Sequence, residues 1–517
     1  MSPAAPRVAV IGGGLAGITA AIALAEAGAA VTLLEARPRL GGATCSFTRD
    51  GLTVDTGQHI FLGCCTAYRD LLGKLGMTEH APVQDRFDVS VLAPGTTPRR
   101  GRLRRTALPG PLHMLPALGR YPFLSLAERA SVARPALAMR FVDPARPGVD
   151  EQRFGDWLAA RGQGQRARRT LWDLFTVSAL NIAGDDASLS LAAIVVKTGL
   201  LGKNNAADIG VPALPLGELH GDAGATLLAK LGAQVLIGAK VAAIEPGTIE
   251  PGTIEANQPP TGLTSPGGPS RPGFRVRLAR PADPADPNSA AALPAEILAD
   301  AVVLAVPHEA AARLVPPGAL PDATVAGWAG LGASPIVNVH VIYDRPVTDL
   351  PFAAAVDSPV QWVFDRTRIS GLDRGSPGRA QYLAISLSAA EEYVDVPAAA
   401  LREQFVPALA ELFPAAREAR VTEFFVTRER RATFRQAPGT ARLRPSAATN
   451  LPGLVLAGAW TATGWPDTME GAVRSGLFAA IELRHTVLAT GLAPGTPDSA
   501  WAAAGPPASS TMIGRRQ

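Results

Sequence analysis

The sequence predicts an α/β chain in two parts, on three observations. The first forty residues alternate strand, glycine-rich turn, helix and strand. Residues 107–215 carry apolar side chains at helical spacing, and from Ala333 onward the apolar residues alternate at period two. The first pattern belongs to a parallel sheet of Rossmann type. The other two belong to an α+β substrate domain with an antiparallel sheet and a helical cap.

Val8 to Ile11 is a continuous apolar run, the mark of a strand buried on both faces. Gly12, Gly14 and Gly17 follow as G-x-G-x-x-G, with Gly13, Leu15 and Ala16 between them. Leu15 to Ala27 is a nearly all-apolar helix, Gly28 ends it, and Val31 to Leu34 lead into Glu35. Gly12 permits a tight turn, Gly14 lets the backbone approach a pyrophosphate, and Gly17 lets the helix lie close to the strand. The helix N-terminus offers free N–H donors to phosphates. Glu35 accepts from a ribose 2′-OH and repels the extra phosphate of NADP. This unit binds a dinucleotide.

The rest of the composition narrows the classes. A chain of 517 residues buries a large core in two domains, one of them discontinuous. The net charge is +4, and only five of the 49 basic residues are lysine, so the arginine content is a habit of the whole chain. No nucleic-acid-binding motif occurs, and no nucleic-acid partner is expected. Cys45, Cys64 and Cys65 make neither a disulfide framework nor a metal cluster, so no metal site is expected. The first strand begins at Arg7 and no apolar run reaches the roughly 18 residues of a bilayer span. The expectation is a cytoplasmic protein, peripheral to a membrane at most.

In order, residues 1–98 are expected to open the nucleotide domain, with a helix at Ala67 to Leu75 and strands around Phe87 to Leu92. Residues 99–213 form the helical cap of the substrate domain. Arg99 to Arg105 holds five arginines in seven residues, read either as a solvated turn or as a contact with anionic lipid headgroups. Behind it Leu108, Leu112, Met114, Leu115, Leu118, Tyr121, Phe123 and Leu124 look exposed, whereas Phe154, Trp157, Leu158, Leu171, Trp172, Leu174 and Phe175 form a core stripe. Residues 214–320 return to the nucleotide domain, with a flexible insert at 245–273 that repeats EPGTI, and a second insert at Pro281 to Pro287. Residues 321–450 supply the substrate sheet and 451–490 the last nucleotide-domain piece. Residues 491–517 are a disordered tail. Asp467 and Glu470 approximate a capping box for the final helix.

Glu35-Ala36-Arg37-Pro-Arg-Leu-Gly41-Gly42 and Asp55-Thr-Gly57-Gln58-His59 resemble motifs of FAD-dependent amine oxidases and phytoene desaturases. So does Leu454 to Ala480, LVLAGAWTATGWPDTMEGAVRSGLFAA. The resemblance implies FAD as the cofactor. Its implied contacts are the two glycine segments, Gly57 to His59, Val241, Ala305, Pro307, Gly458, Ala459, Met469, Glu470, Gly471 and Ala472. Two places depart from the pattern: Ala459 stands where relatives often carry Asp, and Ala43 where they often carry Arg.

DTGQHIFLGCCTAYRDLL, NVHVIYDRPV, QWVFDRT and WTATGWPDTMEGAVRSG further resemble the squalene-associated branch, the hydroxysqualene dehydroxylases of hopanoid synthesis. This implies loss of hydroxyl from a thirty-carbon isoprenoid, with hydride from reduced flavin. The chemistry needs a water-excluding tunnel, a proton source and aromatic faces that tolerate cation. Trp362, Phe364, Trp460 and Trp465 are candidates for the faces, or for packing. His59 and Asp365 are candidates for the proton. The same His59 reads equally as a structural histidine, and Asp365 as a carboxylate ion-paired with Arg366 or Arg368. A phytoene-desaturase-like dehydrogenase, an amine oxidase, or a flavin-loaded lipid carrier without turnover remain as alternatives. No second dinucleotide fingerprint marks a site for an external electron donor.

Overall fold

Five parallel strands make the first sheet, in the order Leu454–Leu456, Ala301–Leu304, Arg7–Ile11, Ala30–Glu35, Gln234–Ile237. The structure, a computed structural model, describes residues 5–95, 97–110, 112–249, 271–279, 293–373 and 379–488. The apolar run of the first strand is explained by its two covered faces. Val8 and Val10 pack with Ile18 and Ile22 of the helix Leu15–Glu26 and with Val473 and Leu477 of the helix Met469–Leu483. Ala9 and Ile11 pack the other way, with Ile244, Phe274 and Ile297 of a three-stranded antiparallel sheet. The two helices touch closely, since a Cβ on Gly476 would lie 2.2 Å from the Ala16 carbonyl oxygen.

The second unit is a seven-stranded sheet in the order Val421–Thr433, Ser334–Tyr343, Gln381–Ser388, Trp362–Asp365, Phe352–Ala355, Asp88–Ala93, Arg99–Arg104. All pairs are antiparallel except Phe352–Ala355 with Asp88–Ala93. One face, with Val337, Val339, Leu383 and Ile385, buries the helix Ala398–Leu412. The opposite face carries Phe352 and Phe364 into the core of the helical cap, where Phe154, Leu158, Trp172 and Leu174 lie as the core stripe predicts. Farther along that face Ile342, Tyr382 and Phe425 meet Val54 of the hairpin Ser46–Arg49/Leu52–Asp55.

Several expectations are corrected, the first being that the strand Asp88–Ala93 belongs to the substrate sheet and not to the nucleotide domain. The arginine run is an edge strand: Gly101 and Leu103 point inward while Arg100, Arg102 and Arg104 point out. Arg102 and Arg104 pair with Asp88, Arg105 with Asp208 and Arg99 with Asp357, so the run is neither a turn nor a free cationic patch. Charge on an edge strand also discourages pairing with another chain. The cap therefore starts, as helix, only at Leu112. Within the cap, Tyr121, Phe123 and Leu124 are buried rather than exposed.

In the insert, the first EPGTI copy is ordered. Glu245 to Ile249 completes the strand Val241–Ile249, and Ile249 pairs with Arg271. Residues 250–270, the insert at Pro281 to Pro287 and the tail from Leu492 lie outside the described residues. Finally, the cap of the helix Met469–Leu483 is Thr468, whose hydroxyl accepts from the Gly471 N–H at 3.2 Å. Asp467 instead accepts from the Phe434 N–H at 2.9 Å, which ties this loop to the end of the substrate sheet.

Candidate active site

The expected cofactor residues gather at the C-terminal ends of the parallel strands, where ligands bind in open α/β sheets. Gly12 follows the first strand with φ +109°, a conformation that L side chains avoid, and a Cβ there would lie 2.2 Å from the Ala305 carbonyl oxygen. A Cβ on Gly17 would lie 1.8 Å from the Gly12 oxygen, so glycine is required for the helix to start this close. Leu15 and Ala16 open that helix behind Gly14, with no side-chain cap and no acid in the first turn. Its leading N–H groups are thus open to an anion.

Gly41 and Gly42 fold over the same end. Gly41 N–H donates to the Gly13 oxygen at 2.8 Å, and a Cβ on Gly42 would meet the Gly14 Cα at 2.9 Å. Glu35 is buried, accepting from the Gly13 N–H at 2.7 Å and the Arg37 N–H at 2.8 Å. Each carboxylate oxygen keeps a lone pair for a further donor such as a ribose hydroxyl. Ala36 is exposed beside it, and Val241 is buried two residues after Ala239, whose N–H meets the Glu35 carbonyl at 2.8 Å. Ala305 donates its N–H to Ile11, and Pro307 precedes the helix His308–Leu314.

The C-terminal segment closes the cradle. Gly458 has φ +133°, and its N–H donates to Ser475 Oγ at 2.8 Å. The loop beyond it is held by Arg444, which the sequence reading missed. Its guanidinium donates to the carbonyls of Ala459, Trp460 and Thr461 at 2.9, 3.3 and 2.6 Å. Burial pushes the Arg444 pKa down to about 10. With Thr468 on Gly471, and Ala472 bonded back to the Thr468 oxygen, the N–H groups of Met469 and Glu470 project from the helix end. The Glu470 carboxylate is engaged elsewhere: it accepts from Ala67 N–H, Tyr68 N–H and Arg474 at 3.2, 2.8 and 2.7 Å. It thereby anchors the helix Thr66–Lys74, and only its backbone is left for a cofactor.

The loop Gly57–His59 sits between this cradle and the substrate sheet. Asp55, just before it, accepts from Ser46 Oγ at 2.6 Å and Leu216 N–H at 3.0 Å, and forms a salt bridge with Arg366. The His59 ring folds over Gly57, where a Cβ would approach its Cε1 to 2.9 Å. Burial lowers its pKa, opposed in part by the Gly57 backbone and by Asp55. Beneath lies His220, held neutral by burial with a pKa of about 3, its Nε2 2.7 Å from the Tyr68 hydroxyl. Gln58 Oε1 and His59 Nδ1 are buried without protein partners. Buried polar atoms are seldom left unpaired, so these mark a place where a polar ligand belongs. The open helix ends, the glycine close approaches and these orphaned atoms together fit a flavin dinucleotide.

Two catalytic candidates are removed and one is qualified. Asp365 alternates with Phe364 and shares the side of Gln381, whose Nε2 donates to it at 2.7 Å, while its other oxygen accepts from the Thr367 N–H at 2.8 Å. That side faces the helix Ala398–Leu412, away from the cap, and Arg366 has gone to Asp55 instead. Trp460 is buried against Trp328, with its N–H on the Val306 oxygen at 2.9 Å, so it is packing. Trp465 has the Arg474 guanidinium 4.8 Å from its ring centroid, which occupies one of its faces. Trp362 and Phe364 stack at 6.3 Å on the cap side.

The family of flavin containing amine oxidoreductases matches residues 15–483. The hydroxysqualene dehydroxylase of Rhodopseudomonas palustris is 28% identical over 94% of this chain and 99% of its own length. The zeta-carotene desaturase of Zea mays is 25% identical over 91% of this chain and 82% of its own. Among solved structures, putrescine oxidase bound to putrescine superposes with a TM-score of 0.64 at 18% identity, covering 93% of this chain and 99% of that one. Cyclohexylamine oxidase from Brevibacterium oxydans gives 0.63 at 18% identity, covering the same shares. With the cradle described above, the match over most of its length places the chain in the flavin containing amine oxidoreductase family, as an FAD-dependent oxidoreductase.

Proposed function

We propose that this enzyme removes the hydroxyl of a thirty-carbon isoprenoid alcohol, converting hydroxysqualene to squalene for hopanoid synthesis. The observation that carries the reading is the length-wide similarity to relatives named hydroxysqualene dehydroxylase, each covered over 97% or more of its own length. The site is consistent with a hydrocarbon. The sheet face above Gly57–His59 turns Phe352, Trp362 and Phe364 toward an apolar cap core. Bound reduced flavin supplies the hydride that takes the place of the departing hydroxyl. Trp362 and Phe364 offer aromatic faces to the carbon that becomes positive. His59 relays the proton with which the hydroxyl leaves as water; burial disfavours its charged form, so the proton passes through the ring and does not rest on it.

A second reading, dehydrogenation of a carotenoid precursor, is favoured by the relatives named zeta-carotene desaturase. One experiment separates them. Photoreduced holoenzyme mixed anaerobically with hydroxysqualene should reoxidise and yield squalene by mass spectrometry. Oxidised holoenzyme that is instead reduced by zeta-carotene, with no reaction in the first mixture, would show the desaturase reading to be right.

The reading includes contact with a membrane, the store of so insoluble a substrate, from the cytoplasmic side. No helix among the described residues is long and apolar enough to cross a bilayer. Every exposed large apolar side chain among them except Ile237 lies between Leu108 and Phe141, with Leu126, Leu137 and Phe141 at 78%, 59% and 82% exposure. Arg120, Arg134 and Arg140 are exposed in the same segment, which suits an anionic lipid surface.

A further inference from the structure

On the face of the substrate sheet that looks onto the Gly57–His59 loop, one polar row lies next to an aromatic one. The strand registers put Trp362 opposite Ser386, Ser386 opposite Asn338, and Asn338 opposite Thr427, so three polar residues lie abreast on neighbouring strands. The next row, Phe364, Ala384, His340 and Phe425, is aromatic apart from its alanine. Asn338 is fully buried. Its Nδ2 donates to the Thr56 carbonyl at 3.3 Å, which orients the amide, and its Oδ1 has no partner.

Thr427 is held from the row behind. Its hydroxyl lies 3.0 Å from His340 Nε2, and His340 Nδ1 lies 2.7 Å from the Tyr382 hydroxyl. The ring is buried, stacked on Phe425 at 4.4 Å, and neutral, with its pKa pushed down to about 3 by desolvation. The tautomer follows from the tyrosine. The buried Tyr382 O–H must donate to His340 Nδ1 or go unsatisfied, so His340 Nε2 carries the proton and donates to Thr427. The Thr427 O–H is then directed onward as a donor. Beside it, Asn338 Oδ1 is an acceptor. One donor and one acceptor abreast match an alcohol, whose oxygen accepts one hydrogen bond while its hydrogen donates another.

We propose that Asn338 and Thr427 form the subsite that binds the hydroxyl of the substrate, and so select an isoprenoid alcohol over the plain hydrocarbon. The inference rests on the dehydroxylase reading and adds to it the residues that recognise the group to be lost. Ser386 completes the polar row, and Trp362 borders it where the hydrocarbon chain continues. A hydrocarbon placed there leaves both polar atoms unpaired, which is how sites built for a hydroxyl reject analogues that lack one.

The test compares the binding of hydroxysqualene and squalene, both in detergent, to oxidised holoenzyme, read from the perturbation of the flavin absorbance. Wild type is expected to prefer the alcohol on the order of 10- to 100-fold. Asn338→Leu and Thr427→Val are each expected to cut that preference to below about threefold, by weakening the alcohol and by tightening squalene, which no longer leaves that polar atom unpaired. An Asn338→Leu protein that carries a full complement of flavin and keeps the wild-type preference overturns the proposal. If that variant loses flavin, the isosteric Thr427→Val decides, and a retained preference there overturns it equally. Failure of reduced wild type to convert hydroxysqualene at all overturns the underlying reading. Turnover with an unaltered preference in the variants overturns the subsite alone.

Discussion

Asp55 and Arg366, 311 residues apart, form a salt bridge buried in the seam between the nucleotide-binding unit and the substrate sheet. It joins the segment DTGQH to the segment QWVFDRT. The carboxylate that fixes the flavin-side loop has its counter-charge at the end of a substrate-sheet strand. The loop and the sheet above it are therefore tied to each other by a buried charge pair.

Removing one partner leaves the other buried and uncompensated, at a cost of about 3–5 kcal/mol. Arg366→Met should accordingly lower the denaturant midpoint sharply and reduce bound flavin. Asp55→Asn keeps acceptors for Ser46 and Leu216, and combined with Arg366→Met it should lose much less than the sum of the two single losses. A double-mutant cycle in guanidinium with strictly additive effects would show that the pair is not coupled.

Glu35 offers a more local test. Its carboxylate is held by Gly13 and Arg37 N–H groups at the place where the adenosine ribose would lie. Glu35→Arg removes the acceptor and brings a side chain too large for the space against Gly13. The purified variant should retain little or no FAD, while the wild type carries it non-covalently. Full stoichiometry in the variant would refute the assignment.

The cradle was legible because each of its glycines answers a local requirement: the positive φ of Gly12, the 1.8 Å approach at Gly17, the open helix end after Gly14. Such causes lie within a few residues and leave a fixed spacing. Arg444, Asn338 and Arg366 gave no such signal, because what defines them arrives from elsewhere in the chain. Arg444 reads as one more arginine until the carbonyls of residues 459–461 close on it. Asp365 illustrates the reverse error. Its neighbour Arg366 suggested an ion pair, but adjacent strand residues point to opposite faces, and the two side chains diverge. Asn338 did leave one clue, an amide set between Val337 and Val339 in the middle of a buried strand.

The hairpin at Ile249 and Arg271 converts another misreading into a prediction. These residues are paired, so their strands can be closed by a two-residue turn. Replacing residues 250–270 by Asn-Gly should leave the melting temperature and flavin content unchanged. Deleting Pro246 to Pro272 instead removes the pairs from Pro246 to Ile249 and the burial of Ile249, and should lower the melting temperature by several degrees. Equal effects of the two deletions would mean that the paired segment contributes nothing.

Acid sensitivity follows from the buried histidines. His220 and His340 have folded pKa values of about 3, below the ordinary 6.5, because burial disfavours their charged forms. Between those values the unfolded chain binds more protons than the folded one, so stability is complete above about pH 6.5 and is lost as pH falls toward 3. Melting temperature should therefore drop steadily from pH 7 to pH 4.5. His340→Gln should be less stable at pH 7 but have a shallower dependence. An unchanged slope would show that His340 does not titrate on unfolding.

The membrane contact is best tested by setting the two basic–apolar segments against each other. Arg99, Arg102, Arg104 and Arg105 are paired with Asp357, Asp88 and Asp208, and each forms part of an edge strand or its end. Changing Arg99, Arg100, Arg102 and Arg104 to Gln, with Arg105 kept as the partner of the buried Asp208, should leave liposome binding nearly intact. Leu126, Leu137 and Phe141 have no such engagement in the fold and present their apolar side chains to solvent. Replacing these three by Ser forfeits the transfer of apolar area into lipid and should weaken binding to anionic liposomes on the order of 10- to 100-fold. Turnover of detergent-solubilised substrate should be spared, because the hydrophobic chain then needs no bilayer to deliver it. Sedimentation with vesicles at two salt concentrations reads both contributions, since the arginine part is screened by salt and the apolar part is not. If the Ser variant binds like wild type while the Gln variant does not, the surface that meets the membrane is the edge strand and not the cap.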